Sequence, residues 1–594
     1  MKKKKNSESL YMSDSFSEKN RKRAERRRRV ISAIVIFSVI FIIVAASTAY
    51  YLVIHYMPNF THESFYTYYD YSPNVIYSVV GGEYADESVH PILREDELYM
   101  PVSFVKRYID EYIFWDKTDN RLSVTTENKL IQMRTDELNY FINNEPFLLS
   151  LPVYSLDGEA FLPASLIEEF YGVTITLQKE RNIAVFDMPE HEKRISEIIV
   201  KDAKLRFEPT IKSPVAKDLL LNENVFVFET AGENADFTKV RTEDGLIGYV
   251  RTSLISQPKV IPPTERKKEY TPPKLFDGKI NLVFDQITSV EANSNESRRT
   301  SIQGLDVLSP TWFSFDREKL NGDIINIGDK GYVDWAHNQG YQVWALITDN
   351  FDYEVSSAVL TDTSIREHVA RQLLTFVSLY DLDGINIDFE MVRETDAEYF
   401  IQFIRELAPL LHAQGAVLSV DMYVPTASNR YYNRSEVGKA ADYIIVMAYD
   451  EHWSTSPVSG PVASIGFVER GITATLEEVP KEKILLGLPY YVRVWAEDKS
   501  TGEVSSSAYS MQRGKEIFDS AGAEFIWDDS SKSYYAEYTD KDGDTEILNR
   551  VWLEDERSIE EKLKLFKYYD LAGVAGWKRN LETEGVWALI DSYS

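Results

Sequence analysis

Residues 383–390 read Asp-Gly-Ile-Asn-Ile-Asp-Phe-Glu. Side chains alternate along a strand, so Asn386, Asp388 and Glu390 share one face and Ile385, Ile387 and Phe389 the other. The apolar face must pack on helices, which leaves the polar face pointing into a closed sheet. Two carboxylates brought together out of water repel each other and lose hydration, which raises a pKa. A carboxyl that keeps its proton beside one that does not is the equipment of general acid–base chemistry, so the strand reads as part of an active site. A solvated surface strand also alternates, but its intervening positions would not be uniformly large and apolar.

The elements that must position this octapeptide lie between residues 278 and 594. Strand-like apolar runs recur at 280–284, 307–315, 342–347, 384–389, 416–420, 443–448, 484–488 and 573–577, with helical stretches between them. Before the fourth run, Ser364 and Glu367 read as a capping box, and Ile365, Val369, Leu373 and Val377 fall on one helix face. Eight strands alternating with helices predict an α/β fold, a (β/α)8 TIM barrel. Barrels build their sites at the C-terminal ends of the strands. Asp421 and Tyr423 after the fifth strand, Glu451, His452 and Trp453 after the sixth, and Tyr491, Arg493 and Trp495 after the seventh are therefore further candidates. Trp312 and Trp344 are expected in the core.

The octapeptide resembles the signature of glycoside hydrolase family 18, the family of chitinases and related N-acetylglucosaminidases. Met447-Ala448-Tyr449-Asp450 resembles that family's sixth-strand motif, and Trp577 ends the eighth strand, where the family places the floor of the sugar subsite. Residues 500–550 are similar to a small α+β insertion that deepens the cleft in many members. The resemblance implies substrate-assisted retaining catalysis, in which the sugar's own 2-acetamido carbonyl attacks the anomeric carbon. Glu390 would then protonate the leaving oxygen and afterwards activate water. Asp388 would hold the acetamido N–H, and the Tyr449 hydroxyl would bind the acetamido oxygen. Asp450 would orient the sugar and Trp577 would stack on it. Met447, Asn386, Asp421, Tyr491, Arg493 and Asp383 complete the substrate-binding set, with Asp383 expected to support the start of the strand rather than the chemistry. The usual family pattern has Asp where this chain has Asn386. That substitution resembles the branch acting on bacterial walls and spore cortex, and it removes one ionisation from the group.

Residues 30–54 carry no charge and follow Arg21-Lys22-Arg23-Ala24-Glu25-Arg26-Arg27-Arg28-Arg29. The stretch is long enough to span a bilayer as a transmembrane helix. The flanking charge predicts residues 1–29 as a cytoplasmic tail and the rest outside the cell, a single-pass membrane protein. The apolar stretch exceeds that of an ordinary cleaved signal peptide. Within 73–190 an internal repeat stands out, 98–105 echoed by 161–167; it resembles the α+β domain found N-terminal in some copper amine oxidases, without a histidine cluster that would imply copper. Residues 195–256 resemble a bacterial SH3-like β-barrel, with Asp244-Gly245 as a tight turn. The first module is expected to be a spacer before a wall-binding module, and the second either binds the cell wall or is a passive domain. The proline-rich stretch 257–277 reads as a stiff linker.

The chain has no cysteine, which excludes disulfides, thiolate metal sites and cysteine nucleophiles. Its eight histidines show no ligand spacing, so no metal site and no cofactor is expected. Net charge is −29, but residues 1–29 carry a surplus of 8 positive charges, leaving −37 on the remainder. So acidic a body argues against nucleic acid as a partner. The expected function is hydrolysis of β-1,4 bonds in an N-acetylated glycan, peptidoglycan before chitin. The alternatives are a chitinase and a lectin-like wall protein without hydrolysis.

Overall fold

The computed structural model describes residues 8–126, 128–230, 236–264, 278–295, 298–542 and 545–593. Residues 1–7 of the basic tail and 265–277 of the expected linker lie outside them. The chain forms two compact units, one of residues 1–100 with 164–266, the other of residues 101–163 with 267–594.

The first unit begins with the helix Glu8–Tyr56. Among the described residues it is the one helix long and apolar enough to cross a membrane. After it the chain adds itself to a seven-stranded antiparallel sheet built from residues 193–261. Glu63 N–H donates to Val215 O (3.0 Å) and Val215 N–H to Thr61 O (2.9 Å). Tyr68 stacks on Phe207 at 4.0 Å, and Phe65 is buried in the same core as Val225, Val240 and Val250. The expected turn joins strands Phe237–Thr242 and Ile247–Arg251, with Gly245 at φ 83°.

The internal repeat is structural. Strand Glu97–Pro101 runs into helix Val102–Tyr108, and strand Glu159–Pro163 into helix Ala164–Tyr171. Each helix start receives a carboxylate: Ser103 N–H donates to Glu159 Oε1 (2.7 Å) and Ser165 N–H to Glu97 Oε1 (3.0 Å). These acids meet otherwise orphaned N–H groups and the positive end of the helix dipole.

The second unit holds the barrel. Its strands are β1 Ile280–Asp285, β2 Val307–Pro310, β3 Gln342–Thr348, β4 Gly384–Asp388, β5 Val417–Tyr423, β6 Tyr443–Met447, β7 Ile484–Pro489 and β8 Gly573–Trp577. All pair in parallel, and β8 pairs with β1, so the sheet closes on itself as the TIM barrel expected. Ile385, Ile387 and Phe389 pack outward among the helices, Phe389 stacking on Phe403. Inside, Trp344, Tyr443, Ile445 and Leu282 fill the lower barrel. Gly384 is glycine because a Cβ there would lie 2.8 Å from the Trp344 ring. Trp312 and Trp344 are both core, as expected.

Three local expectations need correction. The second run does not continue to residue 315: β2 stops at Pro310, and Phe313–Phe315 forms a hairpin with Ile324–Asn326. Helix Thr363–Tyr380 is capped by Asp362, whose carboxylate accepts from Ser364 N–H and Ile365 N–H. Glu367 instead takes Arg121 (2.5 Å), because the five-stranded sheet of residues 114–148 packs on this side of the barrel. The insertion starts earlier than residue 500: Tyr491–Asp498 is already a central strand of its five-stranded sheet.

Candidate active site

The alternation along β4 does what strand geometry requires. Asn386 and Asp388 point into the barrel, and Glu390 follows at its C-terminal mouth. Asn386 is bonded on both ends: its Nδ2 donates to Asp421 Oδ2 (2.6 Å), and Ser419 Oγ donates to its Oδ1 (2.6 Å). This crosslinks β4 to β5 beneath Asp388 and Glu390 and fixes which way the amide faces.

Asp388 and Asp421 are buried, and one oxygen of each, Oδ1, meets no hydrogen-bond donor among the described groups. Burial, then the neighbouring Asp421, Glu390 and Asp349, push the Asp388 carboxyl well above the ordinary range. Burial does the same to Asp421, against the Asn386 hydrogen bond, and Glu390 adds to it. Glu390 is pushed up to about 7, by burial first and then by Asp349 and Asp450; the Tyr423 hydroxyl, donating to it, pulls the other way. Such a site stores unsatisfied acceptors and shared protons, the state expected where an incoming group must bring its own donor.

The backbone after Glu390 is held from two sides. Asp349, fully buried at the end of β3, accepts from Met391 N–H (2.7 Å) and from Ser356 Oγ (2.8 Å). Tyr432 donates to Glu390 O (2.7 Å). The Tyr449 ring lies against β7, where a Cβ on Gly487 would sit 3.0 Å from it. Burial raises the Tyr449 phenol well above its ordinary value, so it stays a hydrogen-bond donor. Asp450 accepts from Tyr491 OH (2.6 Å) and Arg493 Nη2 (3.1 Å).

These side chains border one cavity of about 720 Å³. Asp388, Glu390, Asp421, Met447, Tyr449, Asp450 and Trp577 all line it, as do Tyr423 and the exposed Trp453. Tyr491 and Arg493 act one step back, holding Asp450. Asp383 is not brought to the site: it stands at the opposite end of β4, binding His337 Nε2 (2.9 Å) and Val343 N–H (2.8 Å). Its role is at the start of the strand. Glu451 and His452 are spent on the loop, Glu451 accepting from Ser464 N–H and His452 bonded to Pro461 O. Trp495 is buried and donates to Gly460 O.

Sequence reasoning missed Asp349, Ser419, Tyr432 and Phe351, which also lines the cavity. A signal for Asp349 existed, an acid directly after the apolar β3. Nothing in the sequence links Ser419 or Tyr432 to β4.

Residues 333–582 match the model of glycosyl hydrolases family 18, and residues 79–185 that of the copper amine oxidase N-terminal domain. A Bacillus subtilis protein named as a sporulation-specific glycosylase, YdhD, is 32% identical over 279 residues, covering 45% of this chain and 65% of its own. The cortical fragment-lytic enzyme of Bacillus subtilis is 27% identical over 288 residues, covering 47% of this chain and 66% of its own. The chain thus spans about two thirds of the length of these relatives. A chitinase structure from Chromobacterium violaceum superposes with a TM-score of 0.47 at 23% identity, covering 53% of this chain and 99% of that one.

Proposed function

Since the barrel is a glycosyl hydrolase family 18 domain, we propose that this protein hydrolyses β-1,4 bonds of an N-acetylglucosamine-containing glycan, peptidoglycan in the first place, by substrate-assisted retaining catalysis. One observation carries the reading: Glu390, with a pKa of about 7, shares a cavity with the buried, under-bonded Asp388 and with the neutral Tyr449. The acetamido N–H supplies the donor that Asp388 Oδ1 lacks, and the acetamido oxygen takes the Tyr449 hydroxyl. This turns the acetamido group toward its own anomeric carbon. Glu390, still protonated near neutral pH, gives its proton to the leaving oxygen; as a carboxylate it then deprotonates the water that opens the oxazolinium ion. Asp388 stabilises that ion's positive charge. Asp450, held by Tyr491 and Arg493, orients the sugar, and Trp577 stacks on it.

Peptidoglycan is favoured over chitin by the named activities of the bacterial relatives and by Asn386. The apolar helix would anchor the protein with its barrel outside the cell, and the sheet of residues 193–261 would be an SH3-like module of the wall-binding or spacer kind. The test is to incubate the detergent-solubilised full chain with purified peptidoglycan and with chitin oligomers and to identify new reducing ends by mass spectrometry. Release of N-acetylglucosamine ends from peptidoglycan is expected. Binding without release, unaffected by Glu390→Gln, would instead make the protein a lectin; release from chitin alone would make it a chitinase.

A further inference from the structure

We propose that Lys578, beside Trp577 at the rim formed by β1 and β8, binds a carboxylate carried by the glycan and so selects an acidic polymer over a neutral one. The inference rests on the glycan reading above and names the substituent that reading leaves open.

Lys578 directly follows the tryptophan that lines the cavity. Its strand pairs with β1, Val283 opposite Gly576, and Lys578 Nζ reaches across to donate to the exposed Gln286 Oε1. Among the described residues no carboxylate forms an ion pair with it. The acid whose charge reaches Lys578, Asp285, is already engaged: Arg298 and Arg579 both pair with it, and Tyr332 OH donates to it at 2.8 Å. Three cations, Lys578, Arg298 and Arg579, therefore gather around Asp285, with Glu582 beside Arg579 as the second acid.

That surplus is out of keeping with its surroundings. The chain holds 94 acidic against 65 basic residues, and the cavity beside Trp577 is lined by Asp388, Glu390, Asp421 and Asp450. Lys578 is half-buried, and burial, then Arg298, lower its proton affinity against the opposing pull of Asp285. An ammonium kept against desolvation and like charge gains most from an anion that arrives with the ligand, through a short charge-assisted hydrogen bond. A glycan stacked on Trp577 brings the substituents of its next sugar over this rim. In peptidoglycan two carboxylate sources exist, the lactyl ether of muramic acid and the peptide stem; in chitin neither does.

The experiment measures kcat/KM of the full chain, wild type and Lys578→Gln, on three substrates. These are glycan strands stripped of stems by an amidase, strands with stems intact, and neutral N-acetylglucosamine oligomers. The expected result is a fall of about tenfold in the acidic-to-neutral kcat/KM ratio, largest at low salt. A fall confined to stripped strands assigns the lactyl carboxylate, and one confined to intact strands the stem. Lys578→Arg should restore the ratio, which a merely structural lysine would not require. An unchanged ratio in Lys578→Gln with unchanged thermal stability overturns the proposal. A wild-type enzyme that cleaves none of the three overturns the glycosidase reading instead.

Discussion

Asp285 and Asp388 are two buried aspartates at the same mouth of the same barrel, and they are treated in opposite ways. Asp285, at the end of β1, is saturated: Arg298, Arg579 and the Tyr332 hydroxyl engage its two oxygens. Asp388, at the end of β4, has an oxygen that nothing among the described residues meets, and other acids around it. A buried charge that is paired closes a structure; a buried acid left short of donors is held ready for something else. The difference separates the side of the barrel that holds the sheet closed from the side to which the proposed chemistry is assigned.

The comparison can be broken most sharply at Glu390. Glu390→Gln removes the transferable proton and should lower kcat by about 10³–10⁴-fold while glycan binding, followed by co-sedimentation, persists. On the saturated side, Asp285→Asn leaves the buried Arg579 and the part-buried Arg298 short of their acid and should cost about 3–5 kcal/mol of stability in denaturant unfolding. Equal losses of stability from Asp285→Asn and Asp388→Asn would erase the distinction. Asp388→Asn should instead cost about 10²–10³-fold in kcat with little change in melting.

Smaller effects sharpen the picture. The raised Glu390 pKa predicts that kcat falls as pH climbs through about 7, because the acid form is the working one. The linked stability has the same sign: the folded state binds this proton more tightly than the unfolded chain, so the stabilisation is complete below about 4.5 and is lost as pH rises toward 7. Glu390→Gln should then melt higher than wild type at pH 8 and by a smaller margin at pH 5. Asn386→Asp removes the amide donor from Asp421 and adds an ionisation between two acids that already repel. Its mark should be an altered acid limb of the kcat profile, with the maximum changed by less than about tenfold; an unaltered limb would mean that Asn386 only crosslinks β4 to β5.

Much of this is legible along the chain. The period of two in residues 383–390 is set by strand sterics, so Asn386, Asp388 and Glu390 have to share a face whatever surrounds them. Met447, Tyr449, Asp450 and Trp577 can be placed because they resemble the family's motifs at the ends of the sixth and eighth strands. Asp383 shows the limit. It belongs to the same octapeptide, yet five residues of strand carry it to the far end of the barrel, where it binds His337.

The sequence by itself determined the alternating strand, the eightfold rhythm of strand and helix, and the apolar N-terminal helix, since all of these follow from backbone geometry acting over a few residues. Only the tertiary structure decided that Asp285 meets Arg298, Tyr332 and Arg579, that Asn386 is clasped by Ser419 and Asp421, and that Lys578 forms no ion pair among the described residues. Ser419 lies 33 positions from Asn386, and Arg579 lies 294 from Asp285. Such pairings arise when β8 closes on β1 and neighbouring strands come into register, which no short stretch of chain encodes.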